Sequence, residues 1–374
     1  MYRTFEIRNF RCFKATKLTG LERINLFIGR NGVGKTALLE AIFLHSGAYN
    51  AELGVRVNAF RGVEVKVEFS PRAEVPWRWL FFDCNLSQKI ELIATDEKEQ
   101  THIVQVQEPQ KPELSLFPIS WQTQSRPGSL AVASDVHALE FRYKQSGKED
   151  KVSYFVVTPA GVSVQPTPLP SPPFPGIFIG ARNRVPVAED VQRFSRLVLD
   201  KREVDLLKAL QIIEPRLKDV RIGLLGDSLA IFADIGAAHW LPLTMISDGA
   251  ARLASIVLAI VDASGGVVLI DEIENGIHYS ALKKMWRTIK KAAVLFDVQV
   301  FATTHSWECV TSAHEAFSSK ESSPEEGQYD FAVHKLGRRD GDIVAAVLGR
   351  EALAAAIETN LEVRNGDVGA DGEV

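Results

Sequence analysis

Apolar residues along this chain recur with two periods, and the change from one to the other predicts the order of elements. INLFIG at 24–29 is a short apolar run that reads as a buried strand, and TALLEAIFLH at 36–45 carries the spacing of a helix. The opening YRTFEIRNFRCFKATKLT alternates, which predicts an edge strand, a turn and a second strand. Short strand-like segments follow at 62–69, 89–94, 101–107, 137–144 and 151–158, implying a mainly antiparallel sheet region after the first helix. Helical spacing resumes over 189–214 through Val191, Phe194, Leu197, Val198, Leu206, Leu207 and Leu210, and Pro215 ends it. Strands are expected at 219–225 and 229–234, then a helix whose apolar face is Leu253, Ile256, Val257 and Ile260. VVLIDE at 267–272 and VQVFATTHS at 298–306 form a further strand pair joined by a helix around 280–294. Strands near 330–335 and 343–347 and a helix around 350–360 complete the pattern.

Between these elements the composition shifts. WRWLFFDC is hard to place, and local core packing of Trp77, Trp79 and Phe81 is preferred over a hydrophobic patch. PTPLPSPPFPG at 166–176 holds six prolines, which exclude a helix or central strand and favour a semi-rigid connector over a recognition ligand. Residues 314–327 are rich in Ser, Glu and Lys and read as a surface loop, and RNGDVGADGEV reads as a disordered acidic tail. The expected organisation is a first core part at 1–60, an antiparallel β-rich insertion at 61–165, and the connector at 166–176. A helical subdomain at 177–263, a second core part at 264–362 and a tail at 363–374 complete it. There is neither an internal repeat nor a sustained heptad pattern.

With 374 residues, 46% hydrophobic and 24% charged, the chain can bury a substantial core. It has no apolar run of membrane-spanning length and no export-signal pattern, so the cytoplasm is the expected location. Cys12, Cys84 and Cys309 are too few and scattered for a disulfide framework or a thiolate metal site. A net charge of -4 argues against broad nonspecific nucleic-acid affinity without excluding a local basic groove.

GRNGVGKT at 29–36 has the pattern G-x-x-x-x-G-K-T. Between a strand and a helix such a loop turns backbone N–H groups around phosphate oxygens, and the helix start adds further donors. Arg30, Asn31, Gly32, Val33, Gly34, Lys35, Thr36 and Ala37 are therefore the candidate nucleotide-binding residues, with Lys35 reaching the outer phosphates and Thr36 ligating magnesium. Asp271, at the mouth of the VVLI strand, can support that ion, and Glu272 can orient or polarise the attacking water. In ISDGAAR at 246–252, Ser247 can cap the following helix and Gly249 allows close backbone approach. His305 closes the ATTHS strand, where a neutral imidazole can position water or hydrogen-bond a terminal phosphate.

Taken in order, GRNGVGKT, ISDGAAR, VVLIDEIENGIHYS and FATTHS resemble the Walker A, signature, Walker B with D-loop, and switch-histidine motifs of ABC-type ATPases. The chain most resembles the RecF/SMC-like, overcoming-lysogenization-defect-like branch, the AAA15 family, over most of residues 1–350 and least in the insertion between 60 and 175. The implied fold is an α/β ABC-type P-loop ATPase head with a mixed central sheet, an antiparallel β insertion and a helical subdomain. The resemblance implies ATP and Mg2+ as ligands and Lys35, Glu272 and His305 as catalytic residues. It places Asn275 and Gly276 in the loop linking two sites, and gives Ser247 and Gly249 the terminal phosphate of nucleotide held by a partner subunit, in an ATP-dependent homodimer.

Some features depart from the pattern. The signature reads SDG rather than SGG, which sets Asp248 beside phosphate charge unless it points away. Gln88, Gln100 and Gln105 are the glutamine-loop candidates, with no flanking pattern to choose among them. There is no obvious carboxy-terminal acidic nuclease module. The expected function is Mg-dependent ATP hydrolysis coupled to head dimerisation, controlling a separately encoded effector or a DNA-associated process such as repair or antiviral defence. The alternative is a nucleotide-dependent structural or sensor protein with slow hydrolysis.

Overall fold

The structure, a computed structural model, describes residues 1–61, 75–109, 137–158, 161–166, 172–181, 187–318 and 329–359. The expected strand at 62–69, most of 108–130 and the expected tail at 363–374 lie outside these residues.

Strands β1 (Tyr2–Phe10), β2 (Phe13–Leu18) and β3 (Ile24–Ile28) lead into helix α1 (Lys35–Ser46) and a short α2 (Leu53–Ala59). Next come β4 (Ile90–Asp96), β5 (Thr101–Gln107), β6 (His137–Gln145), β7 (Lys151–Thr158), β8 (Gly161–Gln165) and β9 (Gly176–Ile179). Helices α3 (Val187–Leu199) and α4 (Glu203–Gln211) precede β10 (Asp219–Leu225), β11 (Ser228–Asp234) and β12 (Leu241–Pro242). Then follow α5 (Leu243–Ile246), α6 (Asp248–Asp262), β13 (Val267–Ile270), α7 (Tyr279–Leu295), β14 (Gln299–Thr303) and α8 (Trp307–Ser318). The described chain ends with β15 (Phe331–Arg339), β16 (Asp342–Leu348) and α9 (Arg350–Glu358).

A six-stranded sheet in the order β16-β15-β3-β14-β13-β9 is parallel except for β16 and forms the mixed core. Its register aligns Val333, Leu26, Ala302, Ile270 and Ile179 in one transverse row. That row faces α6, α7 and α8 in one apolar core. The alternate residues Phe27, Leu269 and Phe301 face the opposite way, into a second core shared with α1. Strands covered on both faces read as unbroken apolar runs, which is why INLFI and VVLI carry no polar alternation. Helix α1 is apolar nearly all round because sheets flank it on both sides.

The second sheet runs β2-β1-β4-β5-β6-β7-β8 and is antiparallel throughout. It overturns one expectation: β1 is an interior strand between β2 and β4, and β2 takes the edge. The β-rich region thus continues the sheet begun by the first strands, across the expected boundary at 60/61. Likewise β9, directly after the proline-rich stretch, joins the core sheet rather than a separate subdomain.

Two helical expectations also change. The 189–214 run breaks at 200–202, where Lys201 has φ 58 and the Arg202 N–H turns back to the Leu197 carbonyl. The break lets Phe194 and Leu197 of α3 and Leu206 and Leu210 of α4 face the same core, and leaves Val198 exposed. Residues 314–318 are the end of α8, whose Cys309, Val310, Ala313, Ala316 and Phe317 are buried at helical spacing beneath a polar composition. Of the ambiguous aromatics, Trp77 and Phe81 are core residues, whereas Trp79 is exposed.

The two sheets are tied by Gln299 of β14, which is fully buried. Its Oε1 accepts from the Tyr2 N–H at 2.7 Å, and its Nε2 donates to the carbonyls of Tyr2 at 2.9 Å and Glu22 at 2.8 Å. Gln299→Leu keeps the volume and strands those backbone groups, so it is expected to cost about 2–4 kcal/mol in urea unfolding with an unchanged m-value.

Candidate active site

The site forms where β3, β14, β13 and β9 end together, the edge at which open parallel sheets bind ligands. After β3 the chain enters the glycine loop. Gly29 has φ 141, and a Cβ there would stand 2.4 Å from the Leu336 carbonyl oxygen. Gly34, at φ 104, leaves 2.9 Å to Cys12 Sγ and 3.0 Å to Phe13 Cζ. Both positions therefore demand glycine on backbone and steric grounds. Arg30, Asn31 and Gly32 are exposed at the loop tip, Val33 and Ala37 are buried beneath it, and Gly34 caps α1.

Lys35 is 6% exposed and donates to the carbonyls of Gly29 at 2.7 Å and Arg30 at 3.1 Å. Burial lowers its pKa to about 8, against the opposing pull of Asp271, Glu272 and Glu274. Thr36 Oγ1 donates to Asp271 Oδ2 at 3.0 Å, and the buried Thr303 hydroxyl donates to Asp271 Oδ1 at 2.6 Å. That hydroxyl also accepts the Glu272 N–H at 2.8 Å. Hydroxyl and carboxylate oxygens thus converge in a hard donor set that suits Mg2+, which usually takes one or two carboxylates and completes its shell with water and phosphate.

Glu272 holds a left-handed backbone at φ 48, a conformation costing about 1–2 kcal/mol outside glycine. Its Oε2 accepts from Asn275 Nδ2 at 2.8 Å, and its Oε1 lies 3.6 Å from His305 Nε2. The His305 N–H donates to Glu274 Oε1 at 2.9 Å. Lys35, Thr36, Glu272 and His305 line one cleft of about 690 Å3 together with Arg11, Arg61 and Trp79. None of Gln88, Gln100 and Gln105 is among its lining residues.

Ser247 caps α6, its Oγ accepting the Ala250 N–H at 3.3 Å. Gly249 packs so closely on the loop after β13 that a Cβ would stand 2.9 Å from the Gly276 carbonyl oxygen. Neither Ser247 nor Gly249 lines the cleft holding Lys35 of the same chain.

Sequence reasoning missed four contributors. Thr303 was hidden inside a strand, although a threonine ending an apolar run is a readable signal. Arg252 of α6 donates to the carbonyls of Gly180 at 3.1 Å and Asp271 at 2.9 Å, bracing two strand ends. Arg11 and Arg61 share the buried Glu40 carboxylate at 2.6 and 2.7 Å, so two guanidinium charges face one carboxylate beside the phosphate loop. That excess of positive charge attracts an anion.

A phosphate loop tied by a hydroxyl–carboxylate bridge to an Asp-Glu strand end, on a mixed α/β sheet, defines a P-loop ATPase head of the ABC type. Comparison with known proteins places it further. Residues 1–126 match the family described as "AAA ATPase domain", and residues 169–309 match "AAA domain, putative AbiEii toxin, Type IV TA system". An "ATP/GTP phosphatase" of Helicobacter pylori is 24% identical over 351 residues, covering 86% of this chain and 90% of that protein. An SMC head solved with the C-terminal winged-helix domain of ScpA superposes with a TM-score of 0.50 at 13% identity, covering 96% of this chain and 99% of that one. The chain is thus similar to AAA ATPases over both matched stretches, and its fold is that of an SMC-like head.

An anion beside Lys35 favours its charged form, so phosphate binding raises its pKa. With the starting value at about 8, Mg-ATP binding at pH 8.5 is expected to take up roughly 0.7 proton and at pH 6.5 almost none through this lysine. Calorimetry in buffers of different ionisation enthalpy measures the uptake.

Proposed function

We propose that this chain hydrolyses ATP at the cleft above the core sheet and that two copies close on the nucleotide as one unit. The observation that carries the catalytic half is the relay Thr36–Asp271–Thr303–Glu272, which joins the phosphate loop to the acidic strand end through directed hydrogen bonds. In this reading the loop N–H groups and Lys35 hold the β- and γ-phosphates, and Thr36 and Asp271 would hold Mg2+, which when bound neutralises phosphate charge. Glu272 orients a water in line with the γ-phosphorus and accepts its proton as the new P–O bond forms. The bond to the β-phosphate oxygen breaks, leaving ADP and inorganic phosphate. His305 stands beside Glu272 and hydrogen-bonds the transferring phosphoryl group.

The dimer reading draws on the signature helix. Ser247 and Gly249 lie off the cleft of their own chain, next to the loop carrying Asn275 and Gly276. Their helix start is suited to donate to a terminal phosphate presented by a second copy. ATP then belongs to the interface, and ADP leaves those donors unmatched. Such closure can drive a partner protein or a DNA-associated process, with repair and antiviral defence as the uses in view. The SMC head bound to a ScpA domain is an instance of a similar fold engaging a protein partner. A protein that senses nucleotide and hydrolyses slowly is the second reading, favoured by the Asn275 contact that occupies one Glu272 oxygen.

Glu272→Gln is expected to bind Mg-ATP normally and lose at least about 100-fold in steady-state turnover, because the amide cannot accept the proton. The same variant should accumulate as an ATP-dependent dimer in light scattering, and near-normal turnover would move the base elsewhere. Mixing Lys35→Ala with Ser247→Arg tests the shared site. Each alone should be inactive, while the mixed dimer, with both defects in one site, should recover about half the activity per dimer if the sites fire independently. A Ser247→Arg protein that dimerises and turns over like the wild type removes the cross-subunit role.

A further inference from the structure

Phosphate groups occupy only the glycine loop of a nucleotide site; the ribose and base must rest against another wall of the cleft. Away from the loop the cleft is also lined by Trp79, Phe81, Asp83 and Cys84 of the segment 77–84, which lies far from the loop in sequence. Residues 10–13 bring the two together. On one side, Cys12 and Phe13 press against Gly34, with 2.9 and 3.0 Å left to a Cβ there. On the other, the Arg11 N–H donates to the Leu80 carbonyl at 2.7 Å, and Phe10 pairs with Phe81 in an antiparallel bridge.

The segment commits Trp77, Leu80 and Phe81 to the core. Trp77 and Leu80 are fully buried and Phe81, which touches the cleft, is 2% exposed, whereas Trp79 between them is 45% exposed and lines the cleft together with Lys35, Thr36 and Glu272. Asp83 and Cys84, at φ 51 and 54, both hold the left-handed backbone that non-glycine residues avoid, and both residues line the same cleft. Strain of this kind persists where the surrounding packing enforces it, and it tends to gather at ligand sites. An indole at the edge of a charged cleft, on a backbone anchored by buried neighbours, is flat and partly wetted. Such a surface suits a heteroaromatic ring.

We propose that Trp79 is the platform on which the purine base of the bound nucleotide stacks. The proposal rests on the nucleotide reading of this cleft and adds the base subsite to it. Stacking reads the face of a ring, so ATP and GTP should share the platform, and a single-ring pyrimidine should gain less from it.

Equilibrium binding of Mg-ATP, Mg-GTP, Mg-UTP and magnesium tripolyphosphate to the full chain tests this, because tripolyphosphate has the phosphates and lacks the base. Trp79→Ala is expected to weaken ATP and GTP roughly 10- to 100-fold and to leave tripolyphosphate within about two-fold of wild type, its retained binding also showing that the site is folded. Trp79→Phe should restore most of the loss, and wild type should bind UTP more weakly than ATP. Unchanged ATP affinity in Trp79→Ala, or an equal loss for tripolyphosphate, would overturn the platform alone. Tripolyphosphate that fails to compete with ATP on wild type, or competes equally on Lys35→Ala, would overturn the reading of the cleft and the platform with it.

Discussion

The Asp271 carboxylate is the point on which the rest of the site depends. One oxygen accepts from Thr36 at the start of α1 and the other from Thr303 at the end of β14. One side chain just past the end of β13 thereby fixes the phosphate loop, the adjoining strand and, through the Thr303 hydroxyl, the backbone of Glu272. In a buried setting such charge-assisted bonds are strong and geometrically strict. They require the three strand ends to lie level, which the parallel register of the core sheet supplies.

Around that point the protein holds charge at a cost. Lys35 is desolvated enough to bring its pKa down to about 8. Glu272 sits on a strained backbone, and Arg11 and Arg61 crowd a single buried carboxylate. Each arrangement is unfavourable by itself, and a polyanion relieves the excess positive charge. The architecture meets the cost with two apolar cores, one on each face of the sheet, that leave its strands little freedom.

Helix α6 links this centre to the rest of the fold. Its first turn packs on Gly276, and Arg252 one turn later braces the carbonyl of Asp271, so a shift of the helix is felt at the acidic strand end. On its other side the Ser255 hydroxyl donates to the Asp190 carboxylate of α3, joining α6 to the helical layer. Burial raises the Asp190 pKa to about 6 despite its Arg193 neighbour, which marks the junction as tightly desolvated.

Local patterns in the chain were enough to determine the phosphate loop, the Asp-Glu strand end, the capped helix at Ser247 and most strand positions. Those features arise from contacts close in sequence: glycine dihedrals, a helix cap and apolar periodicity. Their order also disclosed the ATPase class. Tertiary structure alone decided that β1 lies inside a sheet with β4 and that β9 joins the core, because each depends on a partner surface distant in sequence. It also decided the roles open to Thr303, Arg252, Arg11 and Trp79. A guanidinium or an indole carries no local signal of purpose, and even the threonine that ends an apolar run acquires its role only when the strand ends bring its distant partner within reach.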